Sequence, residues 1–221
     1  AEMMQYITSI NVACGGHAGD GDMMLAMVMM AQERGVKIGA HPSYPDKENF
    51  GRIKIDMTSA AISETIAEQI TRLNEIASNN SSLLTHVKPH GALYNKAVND
   101  EEIAVAIGTG VKYVDEELKL VGLAGSKMLA VWQGMGFDIM GEGFADRTYE
   151  CNGTLRSRKF DDALITDPGI AAEQAECMAR NENFTAVDGT ALNITVQTIC
   201  VHSDTPNAVE IAHAVHTALQ P

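Results

Sequence analysis

Positive charge is scarce in this chain: 16 lysines and arginines stand against 29 aspartates and glutamates, a formal net charge of −13. Nucleic acids and anionic membrane surfaces are held by clustered Lys and Arg, so neither is expected as a partner. No apolar run approaches the ~18 residues of a spanning helix, and no basic segment followed by a short apolar one marks a secretion signal. Cysteine is sparse too. Cys14, Cys151, Cys177 and Cys200 form no close pair and no metal-ligand spacing, the pattern of free thiols in a reducing cytoplasm. No G-x-x-x-x-G-K-[ST], strict G-x-G-x-x-G or G-x-S-x-G occurs, so no Walker loop, dinucleotide fingerprint or activated serine is signalled.

What is present suits one large α/β domain. The chain has 221 residues, 45% of them hydrophobic, and β/α barrels of ~200–250 residues form single units. Short β-rich runs (9–13, 36–40, 83–88, 120–123, 137–141 and 198–201) alternate with longer helical stretches (20–34, 58–78, 100–115, 126–133, 168–180 and 206–219). Strand, helix, strand in series predicts a parallel sheet covered by helices. Ile62, Ile66, Ile70, Leu73 and Ile76 have helical spacing. Pro168 and Pro206 are placed for a first helical turn, and Gly35 and Gly136 for a left-handed stop. The methionines of 20–34 (Met23, Met24, Met27, Met29 and Met30) read as core packing rather than a soft-metal face. Residues 145–166 are the least periodic and predict a long loop or hairpin.

Five of the seven histidines, His17, His41, His86, His90 and His202, fall where an apolar run breaks into Gly, Pro or Asp. In repeated strand-helix folds, catalytic groups gather just past the carboxyl ends of the strands. One such imidazole could equally be a buried ring satisfied by a carbonyl; recurrence at five junctions favours an active-site rim. His86 and His90, with His17 and Asp20, resemble a mixed histidine and carboxylate divalent site. The competing reading is that these rings hydrogen-bond a polar substrate or shuttle protons. Lys88, Arg52 and Arg147 are the cations nearest these motifs, suited to a phosphate or a developing oxyanion. Asp146 is a candidate general base or metal ligand, with Glu142 second, and Asp204 is placed to orient His202. Gly15, Gly16, Gly19 and Gly21 around His17 offer main-chain N–H groups to an anion.

The blocks NVACGGHAGD, GAHPSYPD, HVKPHGALYN, LVGLAGS, GEGFADRTYE and TICVHSD, in this order from about Ile7 to Leu219, closely resemble the LamB/YcsF family. The resemblance implies a seven-stranded parallel β/α barrel of the glycoside hydrolase and deacetylase type. It implies a cytoplasmic enzyme subunit that, with two further subunits (B and C), opens the 5-oxoproline lactam to glutamate while hydrolysing ATP, with Mg2+ expected. The family's first strand, Asp-Leu-Asn-x-Asp-x-Gly-Glu, has no counterpart here, so residues 1–221 are expected to be one N-terminally incomplete barrel domain. Ser203 replaces the usual Gly of a His-Gly-Asp turn. On this reading Lys88, His90, Asp146, Arg147 and His86 are catalytic, and His41, Arg52, Tyr94, His202 and Asp204 bind substrate. Lys88 and Arg147 would steady phosphoryl charge while Asp146, His86 or His90 activates water. The alternatives are a metal-dependent amide or ester hydrolase of deacetylase type and a non-catalytic lactam- or sugar-binding partner.

Overall fold

The computed structural model describes residues 2–220. The chain forms two compact units: one runs from Thr8 to Gly122 and from Ser126 to Ile139, and the other takes the residues before Thr8, Leu123–Gly125, and those from Met140 onward.

The first of these is an α/β unit. Strands β1 (Ser9–Ala13), β2 (Lys37–His41), β3 (Leu84–Val87) and β4 (Lys119–Leu123, the last residue belonging to the other unit) pair in parallel and in that order. Helices α1 (Gly21–Arg34), α2 (Ser59–Asn79), α3 (Gly91–Ala97), α4 (Glu101–Lys112) and α5 (Lys127–Gly134) come between and after them. Side chains that accept from otherwise orphaned N–H groups fix several starts: Asp20 from Met23, Thr58 from Ala61, and Asp100 from Ile103. Gly35, at φ 64°, stops α1 in the left-handed conformation. Ile62, Ile66, Ile70 and Leu73 bury the inner stripe of α2 completely, each contributing roughly 1.5–3 kcal/mol of transfer free energy. Gly110 brings α4 close to α2, since a Cβ there would lie 2.5 Å from Ser63 O. Trp132 of α5 is buried and donates to Ala104 O at 2.8 Å.

The other unit holds β5 (Ile139–Phe144, from Met140 on) paired in parallel with β8 (Thr198–Cys200), α6 (Pro168–Ala179), α7 (Ala208–Ala218) and a small antiparallel pair, β6 (Phe184–Thr185) and β7 (Ala191–Leu192). Ala171 and Ala175 of α6 pack with Ile211 and Val215 of α7 around Ala145.

The elements therefore follow the expected alternation, with instructive departures. The strand expected over 137–141 lies at Ile139–Phe144, so Glu142 is a buried strand residue rather than part of a rim loop. Its glycines make room: a Cβ on Gly143 would meet Met178 Sδ at 2.5 Å. Pro206 precedes α7 instead of opening it, because Asn207 turns the chain at φ 62°. Among the α1 methionines only Met24 is fully buried, while Met23 is 53% and Met29 39% exposed, so core packing does not explain them all. Residues 145–166 form a long loop bridged at Arg147–Leu164 and Tyr149–Leu155. Six strands pair in parallel among the described residues, and the seventh strand implied by resemblance is not among them. No described helix is long and apolar enough to cross a membrane.

Candidate active site

Each unit carries its own polar centre at strand ends. In the α/β unit, Asn11, Gly39 and His86 stand in register across β1, β2 and β3. Gly39 contributes no side chain, so the His86 ring lies across it and its Nε2 reaches Asn11 Oδ1 at 3.0 Å. A Cβ on Gly39 would come within 2.1 Å of that nitrogen. His86 is buried, and burial, then the charges of Lys88 and Lys37, push its pKa down to about 4.

Beyond the strand ends three imidazoles cluster. His17 and His90 stack with centroids 3.7 Å apart and planes at 8°. His90 Nδ1 lies 3.0 Å from His41 Nε2, and His41 Nδ1 lies 2.6 Å from Lys88 O. Gly51, at φ 65°, admits the cluster, since a Cβ there would meet His17 Cβ at 2.9 Å and His90 Cδ2 at 3.1 Å. Ser43, after β2, is held at both N–H and C=O by the Gln69 amide of α2. Burial first, then the His90 and Arg52 charges, push His17 down to about 3. Burial, with His90, Lys88 and His17, holds His41 well below its ordinary value. Lys88 is buried with Nζ 5.8 Å from the ring centroid of Tyr94, itself buried.

The expected metal set is not assembled. Asp20 caps α1, His86 is tied to Asn11 and Thr85, and His90 to His41 and Phe50 O. Among the described residues, no three His, Cys, Asp or Glu side chains are placed to hold a metal ion.

In the second unit Asp146, fully buried, accepts from the His202 N–H at 2.9 Å, from His202 Nδ1 at 3.0 Å and from the Thr205 hydroxyl at 2.5 Å. Burial raises the Asp146 pKa, but the hydrogen bonds and charge of His202, with those of Thr205, outweigh it and leave the carboxyl below its ordinary value. The carboxylate fixes Nδ1–H on His202 and leaves Nε2 as the ring's acceptor. His202 also stacks on Phe144 at 5.4 Å. The carboxylate against His202 Nδ1 is Asp146, while Asp204, the residue expected there, pairs with Arg158 at 3.3 Å. Both Asp146 oxygens are thus engaged in hydrogen bonds. Arg147 does not fit a phosphoryl clamp: its Nε and Nη2 donate to the carbonyls of Ala163 and Arg156, pinning the 145–166 loop. Asn11, Gln69, Phe50 and Thr205 escaped sequence reasoning, because their roles arise from contacts 26 to 75 residues away. For Asn11 the only signal was membership of a polar block, and for Thr205 its place directly after one.

The LamB/YcsF family profile matches residues 1–221. The chain belongs to the LamB/YcsF family. It is 44% identical over 218 residues to a Chloroflexus aggregans protein named as the A subunit of 5-oxoprolinase, covering 99% of this chain and 86% of that protein. A Mycobacterium leprae protein of the same name is 43% identical over 217 residues, covering 98% and 86%. The crystal structure of a lactam utilization protein from Thermus thermophilus superposes with a TM-score of 0.92 at 37% identity, covering 99% of this chain and 87% of that one. The LamB/YcsF blocks coincide with the polar centres: NVACGGHAGD supplies Asn11 and His17, HVKPHGALYN the Lys88 and His90 region, and GEGFADRTYE with TICVHSD the Asp146–His202 pair.

Proposed function

We propose that this chain is the A subunit of an ATP-dependent 5-oxoprolinase, working in the cytoplasm with two further subunits to open the 5-oxoproline lactam to glutamate. The single observation that carries a hydrolytic role is the Asp146–His202 pair, whose imidazole has its tautomer set and its Nε2 left to take a proton from water. It supports the reading together with relatives named as the A subunit of 5-oxoprolinase. A lactam is a resonance-stabilised amide that water attacks poorly. ATP, with Mg2+, would supply phosphorylation of the carbonyl oxygen, making the ring carbon electrophilic; water would then add there, the ring C–N bond would break with the nitrogen leaving as the protonated amine, and the acyl phosphate so formed would be hydrolysed to the carboxylate and phosphate. His202 is then the general base, Asp146 and Thr205 hold it, and His86 packs the strand ends.

The test is 5-oxoproline-dependent ATP hydrolysis by the complex reconstituted with its partner subunits. His202→Asn is expected to lower kcat by about 10²-fold or more, the usual worth of a general base. Turnover near wild type would remove His202 from the mechanism.

A further inference from the structure

The rings of His41 and His90 stand in a hydrogen-bonded file with a main-chain carbonyl at each end. Lys88 O is 2.6 Å from His41 Nδ1, His41 Nε2 is 3.0 Å from His90 Nδ1, and Phe50 O is 2.9 Å from His90 Nε2. A carbonyl oxygen accepts and never donates, so each outer contact requires a ring N–H. The middle contact requires a third. Two neutral imidazoles carry one N–H each, which would leave one of the three contacts as two lone pairs facing one another. All three are satisfied together only when the pair holds one proton more than two neutral rings do.

Of the groups around this pair, Lys88 and Arg52 are the cationic ones. His17 stacks on His90 from the loop after β1, Lys88 stands at the end of β3, and Cys14 Sγ accepts from the His41 N–H. Arg52, in the loop after β2, has its guanidinium carbon 5.1 Å from the centroid of Phe50. Lys88 acts on His41 and Arg52 on His17, while His17 itself, pushed down to about 3, adds no charge at neutral pH. Such a concentration of cations in a chain of net charge −13 is suited to an anion. His17 Nδ1 is buried with no hydrogen-bond partner among the described residues, a second sign that the cluster is incomplete without a ligand.

We propose that this cluster recognises an oxyanion, the carboxylate of a small lactam acid, with Arg52 as its direct contact and the singly protonated His41–His90 pair as the fixed charge behind it. The choice of a lactam acid rests on the function proposed above. The charge state is tested on the full chain labelled with 15N, by counting ring N–H groups at neutral pH. Three are expected across His41 and His90, and two would overturn the proposal. Recognition is tested by calorimetry on the reconstituted complex with 5-oxoproline, 2-pyrrolidinone, which lacks the carboxylate, and inorganic phosphate. 5-Oxoproline is expected to bind at least ~10-fold more tightly than 2-pyrrolidinone, the worth of one charge-assisted contact, and Arg52→Gln to erase that preference. Equal binding of the two lactams, no binding of 5-oxoproline, phosphate displacing it at equal concentration, or a stoichiometric metal ion on the imidazoles would each overturn it. Should the complex still turn over 5-oxoproline while the two lactams bind alike, the recognition site fails and the ring-opening function stands.

Discussion

At Asp146 a single buried carboxylate receives the main-chain N–H and ring Nδ1 of His202 and the hydroxyl of Thr205. Asp146→Asn replaces one acceptor oxygen with a donor and leaves His202 without its fixed tautomer. A kcat loss of about 10²–10⁴-fold is expected in the oxoprolinase assay, as for other orienting carboxylates, while Thr205→Val, which keeps the His202 contacts, should cost far less. The buried histidines set a pH dependence of stability. His86 and His17, pushed down to about 4 and about 3, refuse protons that the unfolded chain takes up below its own value of 6.5. The unfolded state then binds more protons, so stability falls as pH drops from about 6.5 toward 4, by at most ~1.4 kcal/mol per pH unit and group. Urea unfolding at about pH 7 and pH 5 should show this loss, and His86→Gln should reduce it. Asp146 acts in a lower window: its stabilisation is complete above the ordinary carboxylate range and disappears as pH falls through its depressed folded value. Sequence reading found both members of the Asp146–His202 pair but assigned the orienting role to Asp204, the neighbour in the chain. Proximity in sequence was the available guide, and the true partner lies 56 residues away.

At the scale of elements, Gly39 in β2 is decisive for the row Asn11, Gly39, His86. Gly39→Ala drives a methyl group into the His86 ring, and because strand backbone flanks it on both sides the ring must leave Asn11. A stability loss of about 1–3 kcal/mol, the usual cost of overpacking, is expected from thermal or urea unfolding. Thr58→Ala, removing the cap that accepts from Ala61 N, should cost about 1 kcal/mol in the same measurement. Strands and long helices were legible because their apolar spacing and caps are local. The helix Gly91–Ala97 was not, since Pro89 and His90 mark a turn and the seven residues that follow show too little periodicity. The extension of β5 past residue 141 was hidden for a related reason: Gly141 and Gly143 resemble a loop until Met178 is seen packed against the second.

For the whole molecule, the proposed role places turnover in an assembly rather than in this chain alone. Ring opening coupled to ATP hydrolysis is therefore expected only when partner subunits are added, and 5-oxoproline turnover by the isolated chain would contradict that dependence. The alternation of apolar runs and amphipathic stretches determined the order of strands and helices, because each element's burial pattern is written in its own spacing. The ordered polar blocks determined the family. Which carboxylate holds His202, that Arg147 pins a loop, and that His41 meets His90 end to end were decided only by tertiary structure. Hydrogen bonds link groups brought together by strand register and loop closure, and an amino-acid sequence shows the groups without showing which of them meet.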